Sequence, residues 1–176
     1  MRGLGVERDP AQAARATVNV AANGWADTLT IETGDLLSWR ADASFDHAMA
    51  NPPFYDAAGT RSPDPARVVA RQADPGLLAS WITALARSLK HRGTLTLIVA
   101  TACVPACLAA FPAAGCGSAA VFPLWPRSAT PAKLALVRAI RGGRAPFVVH
   151  PGLILHAEGF SAEAAAILRD GAALTF

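Results

Sequence analysis

Lysine is nearly absent. Lys90 and Lys133 are the only two, so arginine supplies the rest of the 16 basic side chains. No apolar run reaches the roughly 18 to 20 residues that a membrane helix needs. The N-terminal stretch "MRGLGVERDP" lacks the apolar segment of a signal peptide, which makes the cytoplasm the expected compartment and a membrane an unexpected partner. The cysteines Cys103, Cys107 and Cys116 match no paired CxxC spacing, and their odd number argues against a disulfide framework. Apolar packing is their expected role. The scattered histidines form no metal-ligand pattern, so no metal is expected; His91 precedes Arg92-Gly93, where the pattern predicts a helix end.

What is present favours a compact globule. Over 176 residues, 52% are apolar, and alanine is used heavily, which suits a helix-containing domain spanning residues 1–176. The net charge of +3 and the pI of about 9.1 are compatible with nucleic acid. Many proteins that never meet nucleic acid are equally basic, so charge alone does not choose a partner.

Strand and helix signals alternate along the first hundred residues. "LGVE" (Leu4 to Glu7) predicts a buried strand, and Asp9, Pro10 and Asn23-Gly24 bracket a helix as cap, first-turn proline and stop. "TLTIETGDLL" predicts a second strand, and "FDHAMANPPF" a third that ends at its prolines. Residues 55–75 have no clear period and form a loop rich in Pro, Asp, Gly and Arg. A helix is expected over Pro75 to Gly93, then a continuously apolar strand over Thr94 to Thr101 with both faces covered. A helix from about Pro105 to Ala113 follows, then strands "SAAVFPLWP" and "KLALVRAIRG" as an antiparallel edge hairpin, and a last helix over Ser161 to Asp170. The pattern is that of an α/β open sheet, in which ligands sit at the carboxyl ends of the strands. Those ends carry Glu7, Asp35 and Asn51.

Glu7 is placed to accept hydrogen bonds from both hydroxyls of a ribose, or else is a carboxylate favoured near a helix N-terminus. Asp35 either accepts from an adenine amino group or caps a turn. "NPPF" (Asn51 to Phe54) is more specific. Pro52 and Pro53 fix φ and remove two donors, leaving carbonyls without a competing N–H. An exocyclic amine conjugated to a ring has a delocalised, weakly nucleophilic lone pair. The Asn51 side-chain oxygen and the Pro52 carbonyl can accept its hydrogens, drive the nitrogen toward tetrahedral geometry and aim the lone pair. Phe54, with Tyr55, offers a face for stacking a planar group. Arg61, Arg67 and Arg71 follow in the loop and can meet substrate phosphates, the alternative being a solvated loop. Trp81 and Trp125 read as packing residues.

On these residues the chain resembles the class I S-adenosylmethionine-dependent methyltransferases, in the N-methyltransferase branch with an Asn-Pro-Pro-aromatic motif. "FDHAMANPPFYDAAGTRSPDPARVVAR" and "VFPLWPRSATPAKLALVRAIRG" are similar to small bacterial enzymes that methylate adenine N6 in the anticodon loop of a valine tRNA. The resemblance implies a Rossmann-like sheet, mostly parallel with an antiparallel C-terminal hairpin, S-adenosyl-L-methionine as cofactor and tRNA as partner. It also implies cofactor contacts from Glu7 and Arg8 in "GVERD", from Asp35 and Leu36 in "GDL", and from Asn51. The catalytic motif is Asn51, Pro52, Pro53 and Phe54, and Tyr55, Arg61, Arg67 and Arg71 face the substrate. Methylation of a protein glutamine amide raises the same nucleophilicity problem and remains an alternative.

One family element has no counterpart in the sequence. The first strand and its glycine-rich turn, of the form D-x-G-x-G, which wrap the methionine part of the cofactor, do not occur here. The domain is therefore expected to be incomplete at its N-terminus, with the "LGVE" and "FDHAMAN" strands each left with an unpaired edge. Cofactor binding by these 176 residues is expected to be weak, which keeps a non-catalytic RNA-binding or partner-binding module as a further alternative.

Overall fold

The computed structural model describes residues 2–41, 44–52 and 76–175. It divides into two compact units, residues 1–43 and 44–176.

The smaller unit is a β-α-β element. Strand β1 (Gly3–Glu7) leads into helix α1 (Pro10–Ala22), and β2 (Leu29–Thr33) returns parallel to β1 with Glu7 opposite Thr33. Asp9 caps α1, its Oδ1 accepting the Ala11 amide at 2.8 Å, with Pro10 in the first turn and Asn23 as C-cap. Gly3 and Gly5 make room for β2: a Cβ at Gly5 would lie 2.8 Å from the Ile31 side chain, and one at Gly3 would lie 3.0 Å from Leu29. Among the described residues β1 pairs with β2 alone.

The larger unit is a six-stranded sheet. In chain order it contains β3 (Phe45–Ala50), α2 (Leu77–Arg87), β4 (Leu89–Ala100), a 3-10 turn (Thr101–Cys103), α3 (Val104–Ala110), β5 (Cys116–Trp125), β6 (Leu134–Arg141), β7 (Val148–Val149), β8 (Leu153–Ile154) and α4 (Ala162–Asp170). The order across the sheet is β3-β4-β6-β5-β7, with β8 also on β5. β6 runs antiparallel to both its neighbours, and every other pair is parallel.

Two expectations need correction. The β5–β6 hairpin forms, but it is not an edge: β6 inserts between β4 and β5. Its sequence alternates fully buried Ala135, Val137 and Ala139 with half-buried neighbours, which suits an interior strand. The helix expected up to Gly93 stops at Ser88, because buried Leu89 already pairs with Phe45. The following residues form a bulge, as the register jumps from Phe45↔Leu89 to His47↔Thr94. Arg92 there has φ 69°, and a Cβ on Gly93 would sit 3.0–3.1 Å from the carbonyl oxygens of Lys90, Asp46 and Phe45. Gly93 thus permits close approach of two backbones instead of ending a helix.

The core lies on one face of β4 and β6, where Leu95, Leu97, Val99, Val137 and Ala139 are fully buried with Ile82, Cys107 and Phe111. Burying each of the larger side chains contributes about 1.5–3 kcal/mol. A second cluster of Phe122, Leu153 and Ala164 seats α4, whose N-cap Ser161 accepts the Ala164 amide at 3.1 Å. Cys107 and Cys116 are buried and Cys103 is half-buried, all as free thiols.

Candidate active site

In the smaller unit, parallel β1 and β2 end on the same side, and the Glu7 carbonyl accepts the Gly34 amide at 2.9 Å. This brings Glu7 and Asp35 together at one sheet end. Glu7 Oε1 accepts the Asp9 amide at 2.8 Å, and Asp35 Oδ1 accepts the Leu37 amide at 2.9 Å. Glu7 thus meets a backbone amide at the N-terminus of α1, and Asp35 caps its turn. The second carboxylate oxygen of each makes no bond to the described residues, so each acid keeps a free oxygen with two lone pairs for a ligand. Arg8, next to Glu7 in sequence, is exposed, and Leu36, next to Asp35, is half-buried. Trp39 donates to Glu32 Oε2 at 2.8 Å and borders Gly34, firming the turn that carries Asp35.

In the larger unit, Asn51 follows β3 and is exposed, whereas Pro52 is fully buried. The proline anchors the backbone while the amide beside it faces solvent. β3 is held against β4 by its ladder, by His47 Nδ1 at 2.6 Å from Thr94 Oγ1, and by Lys90 Nζ at 2.9 Å from Asp46 Oδ1. Lys90 beside Asp46 lowers the pKa of that carboxyl. Pro53, Phe54, Tyr55, Arg61, Arg67 and Arg71 lie outside the described residues.

A cluster that the sequence did not disclose lies beyond β8. The His156 and Phe160 rings stack at 5.1 Å between centroids and 20° between planes, and the Arg169 Cζ sits 5.5 Å from the Phe160 centroid. The sequence signals only a helix there, since a His and a Phe four residues apart across a turn have no diagnostic period. Among the described residues no group of His, Cys, Asp and Glu could hold a metal ion, and no helix is long and apolar enough to cross a membrane.

The strand order, with an antiparallel strand inserted near the end of a parallel sheet, is that of the methyltransferase fold. A predicted O-methyltransferase from Agrobacterium tumefaciens superposes with TM-score 0.76 at 22% identity, covering 97% of this chain and 78% of that one. The N-methyltransferase NodS from Bradyrhizobium japonicum, in complex with S-adenosyl-L-homocysteine, gives 0.58 at 14% identity, covering 81% and 67%. In sequence, the chain is similar to proteins named tRNA1(Val) (adenine(37)-N6)-methyltransferase. That of Actinobacillus succinogenes is 34% identical over 97 residues, covering 54% of this chain and 41% of its own length. That of Bacteroides thetaiotaomicron is 31% identical over 98 residues, covering 56% and 41%. The match thus spans about two fifths of these relatives. No protein-family model matches the chain.

Proposed function

We propose that the chain serves an S-adenosylmethionine-dependent N-methyltransferase acting on an exocyclic amine, with adenine N6 of tRNA as the substrate. The observation that carries this is the exposed Asn51 beside buried Pro52 at the carboxyl end of β3, in a sheet with the methyltransferase strand order. The similarity to tRNA adenine-N6 methyltransferases favours tRNA over a protein amide.

The donor set suits the adenosine half of the cofactor: the Glu7 carboxylate for the ribose hydroxyls and Asp35 for the adenine amino group, with Arg8 and Leu36 beside them. S-adenosylmethionine supplies an electrophilic methyl group on a sulfonium. The chain's own residues prepare the acceptor. Asn51 and the Pro52 carbonyl accept the two hydrogens of the amine and pull its lone pair out of conjugation, and Phe54 and Tyr55 stack the extruded base. Arg61, Arg67 and Arg71 are assigned to phosphates. No strong base is needed before transfer, since the alkylated nitrogen is acidic and yields its proton to solvent.

The test is transfer of a labelled methyl group to bulk tRNA against purified translation factors, followed by digestion to nucleosides. Label in N6-methyladenosine supports the reading; label in protein glutamine replaces it with the amide alternative. A non-catalytic RNA-binding module is favoured by one feature, the lack of a D-x-G-x-G turn in the sequence. An in-frame genomic D-x-G-x-G after an apolar strand upstream of Met1 removes that support.

A further inference from the structure

The register of the larger sheet sets a row of groups along its carboxyl end. Ala100 pairs with Leu134, Leu134 with Leu124, and Trp125 with Ile154, while β3 ends beside β4. That end therefore carries Asn51 after β3, Lys133 before β6, Arg127 after β5 and His156 after β8. The row is anchored. The Lys133 carbonyl accepts the Thr101 amide at 3.0 Å, and Arg127 Nη1 donates to the Ala157 carbonyl at 3.1 Å.

The far end of the row is the His156–Phe160–Arg169 stack. A backbone bridge joins His156 to Phe160, and the turn between them is closed by Ala157 donating to the Gly159 carbonyl at 2.9 Å. Phe160 remains 42% exposed, and neither ring belongs to the neighbouring core of Phe122, Leu153 and Ala164. Packing thus gives no reason for an aromatic pair and a guanidinium to be held together at the surface.

We propose that this stack, with Arg127 and Lys133, is a contact surface for single-stranded RNA that positions the substrate whose amine Asn51 orients. The proposal deepens the function above and rests on RNA being the substrate. Unpaired bases stack on aromatic rings and on guanidinium planes, and phosphates follow cations. An acidic peptide would engage Lys133, Arg127 and Arg169 but leave the aromatic pair without a role. Glu158, in the turn between the two rings, repels a phosphate at that point, so the contact there is to a base. From β3 to β8 is four strand steps, roughly 19 Å at about 4.8 Å each. At about 3.4 Å per nucleotide, that is about five or six stacked nucleotides, a span that one looped strand can bridge.

The test is fluorescence anisotropy of a labelled, unmodified tRNA transcript and of a short single-stranded oligoribonucleotide, without cofactor, over a salt series. Phe160→Ala is expected to weaken binding about tenfold with the salt slope unchanged, and Phe160→Tyr to retain affinity. Arg127→Gln and Lys133→Gln should each lower the salt slope by about 1. Arg169→Gln, on an exposed residue outside the core, should weaken binding even if Phe160→Ala fails to fold. Affinities within about twofold of wild type for all of these, or no RNA binding by the wild type, overturn the proposal. Methyl transfer is assayed separately. Wild type that methylates tRNA, with every variant at full affinity, keeps the function and loses this surface. RNA binding through the surface with methyl transferred only to protein keeps an RNA contact there but overturns both its substrate-positioning role and the function.

Discussion

The Glu7 carbonyl accepts the Gly34 amide at 2.9 Å, which fixes the end of β1 to the residue before Asp35. Each acid also spends one carboxylate oxygen on a local backbone amide, which sets its rotamer and leaves the second oxygen for a ligand. Hydrogen bonds to an ionised acceptor are worth about 1.5–3 kcal/mol against about 0.5–1.5 for a neutral one. Glu7→Gln is therefore expected to raise the dissociation constant for S-adenosylmethionine about tenfold, and Glu7→Ala further. Isothermal titration calorimetry with the purified protein measures this. The Asp9 cap keeps α1 intact in both variants, so unchanged affinity would remove Glu7 from the cofactor site.

The side chains of Asn51 and Pro52 separate chemistry from stability by one residue. Asn51 is exposed and Pro52 fully buried, so Asn51→Ala should leave the melting temperature nearly unchanged. Removing one preorganised polar group that acts in the transition state costs about 10²–10³ in kcat. The expectation is a fall of that order in methyl transfer with little change in KM for RNA, read from steady-state kinetics. A loss confined to KM would make Asn51 a binding residue only.

The legible parts of the fold are those with local signals. Asp9, Pro10 and Asn23 bracket α1, and Ser161 opens α4, because caps and first-turn prolines act through neighbouring residues. Glu7, Asp35 and Asn51 could be singled out because each follows a β-prone run. What escaped depends on partners distant in sequence. Leu89 looks helical until Phe45 is known to pair with it, and β6 looks like an edge until Ala139 meets Leu95 across the ladder. The two-residue strands β7 and β8 are too short to show a period. The His156–Phe160–Arg169 stack needs α4 to fold back onto the turn before it, and no spacing rule encodes that.

Arg141, at the end of β6, donates from Nη1 to the Ala86 carbonyl at 2.9 Å, to the Arg87 carbonyl at 3.0 Å and to the Leu89 carbonyl. These carbonyls cluster where α2 ends and β4 begins, a helix terminus with orphan acceptors and a partial negative charge. Arg141→Gln is expected to lower unfolding stability by about 1.5–3 kcal/mol, the value of a hydrogen bond to a charged group. Urea unfolding followed by circular dichroism checks this. A change below about 0.5 kcal/mol, the ordinary range for surface substitutions, would mean that water replaces the guanidinium without penalty.

Cys107 is expected to make the protein sensitive to alkali. Burial, helped by nearby Cys103, pushes its thiol from 9.0 up to about 12. Unfolded chains ionise this thiol near its ordinary value, whereas the folded chain keeps the proton, so stability is fully present below about pH 9 and drains away between about pH 9 and 12. At 1.36 kcal/mol per pKa unit, the loss over that window is on the order of 4 kcal/mol. Burial pushes Cys116 up as well, with Arg141 opposing it, so its share has the same sign. Cys107→Ala should therefore flatten the fall of the urea midpoint between about pH 9 and 11, while changing stability at pH 7 only by the small loss of sulfur packing. Parallel pH profiles for wild type and variant would place the alkaline transition elsewhere in the chain.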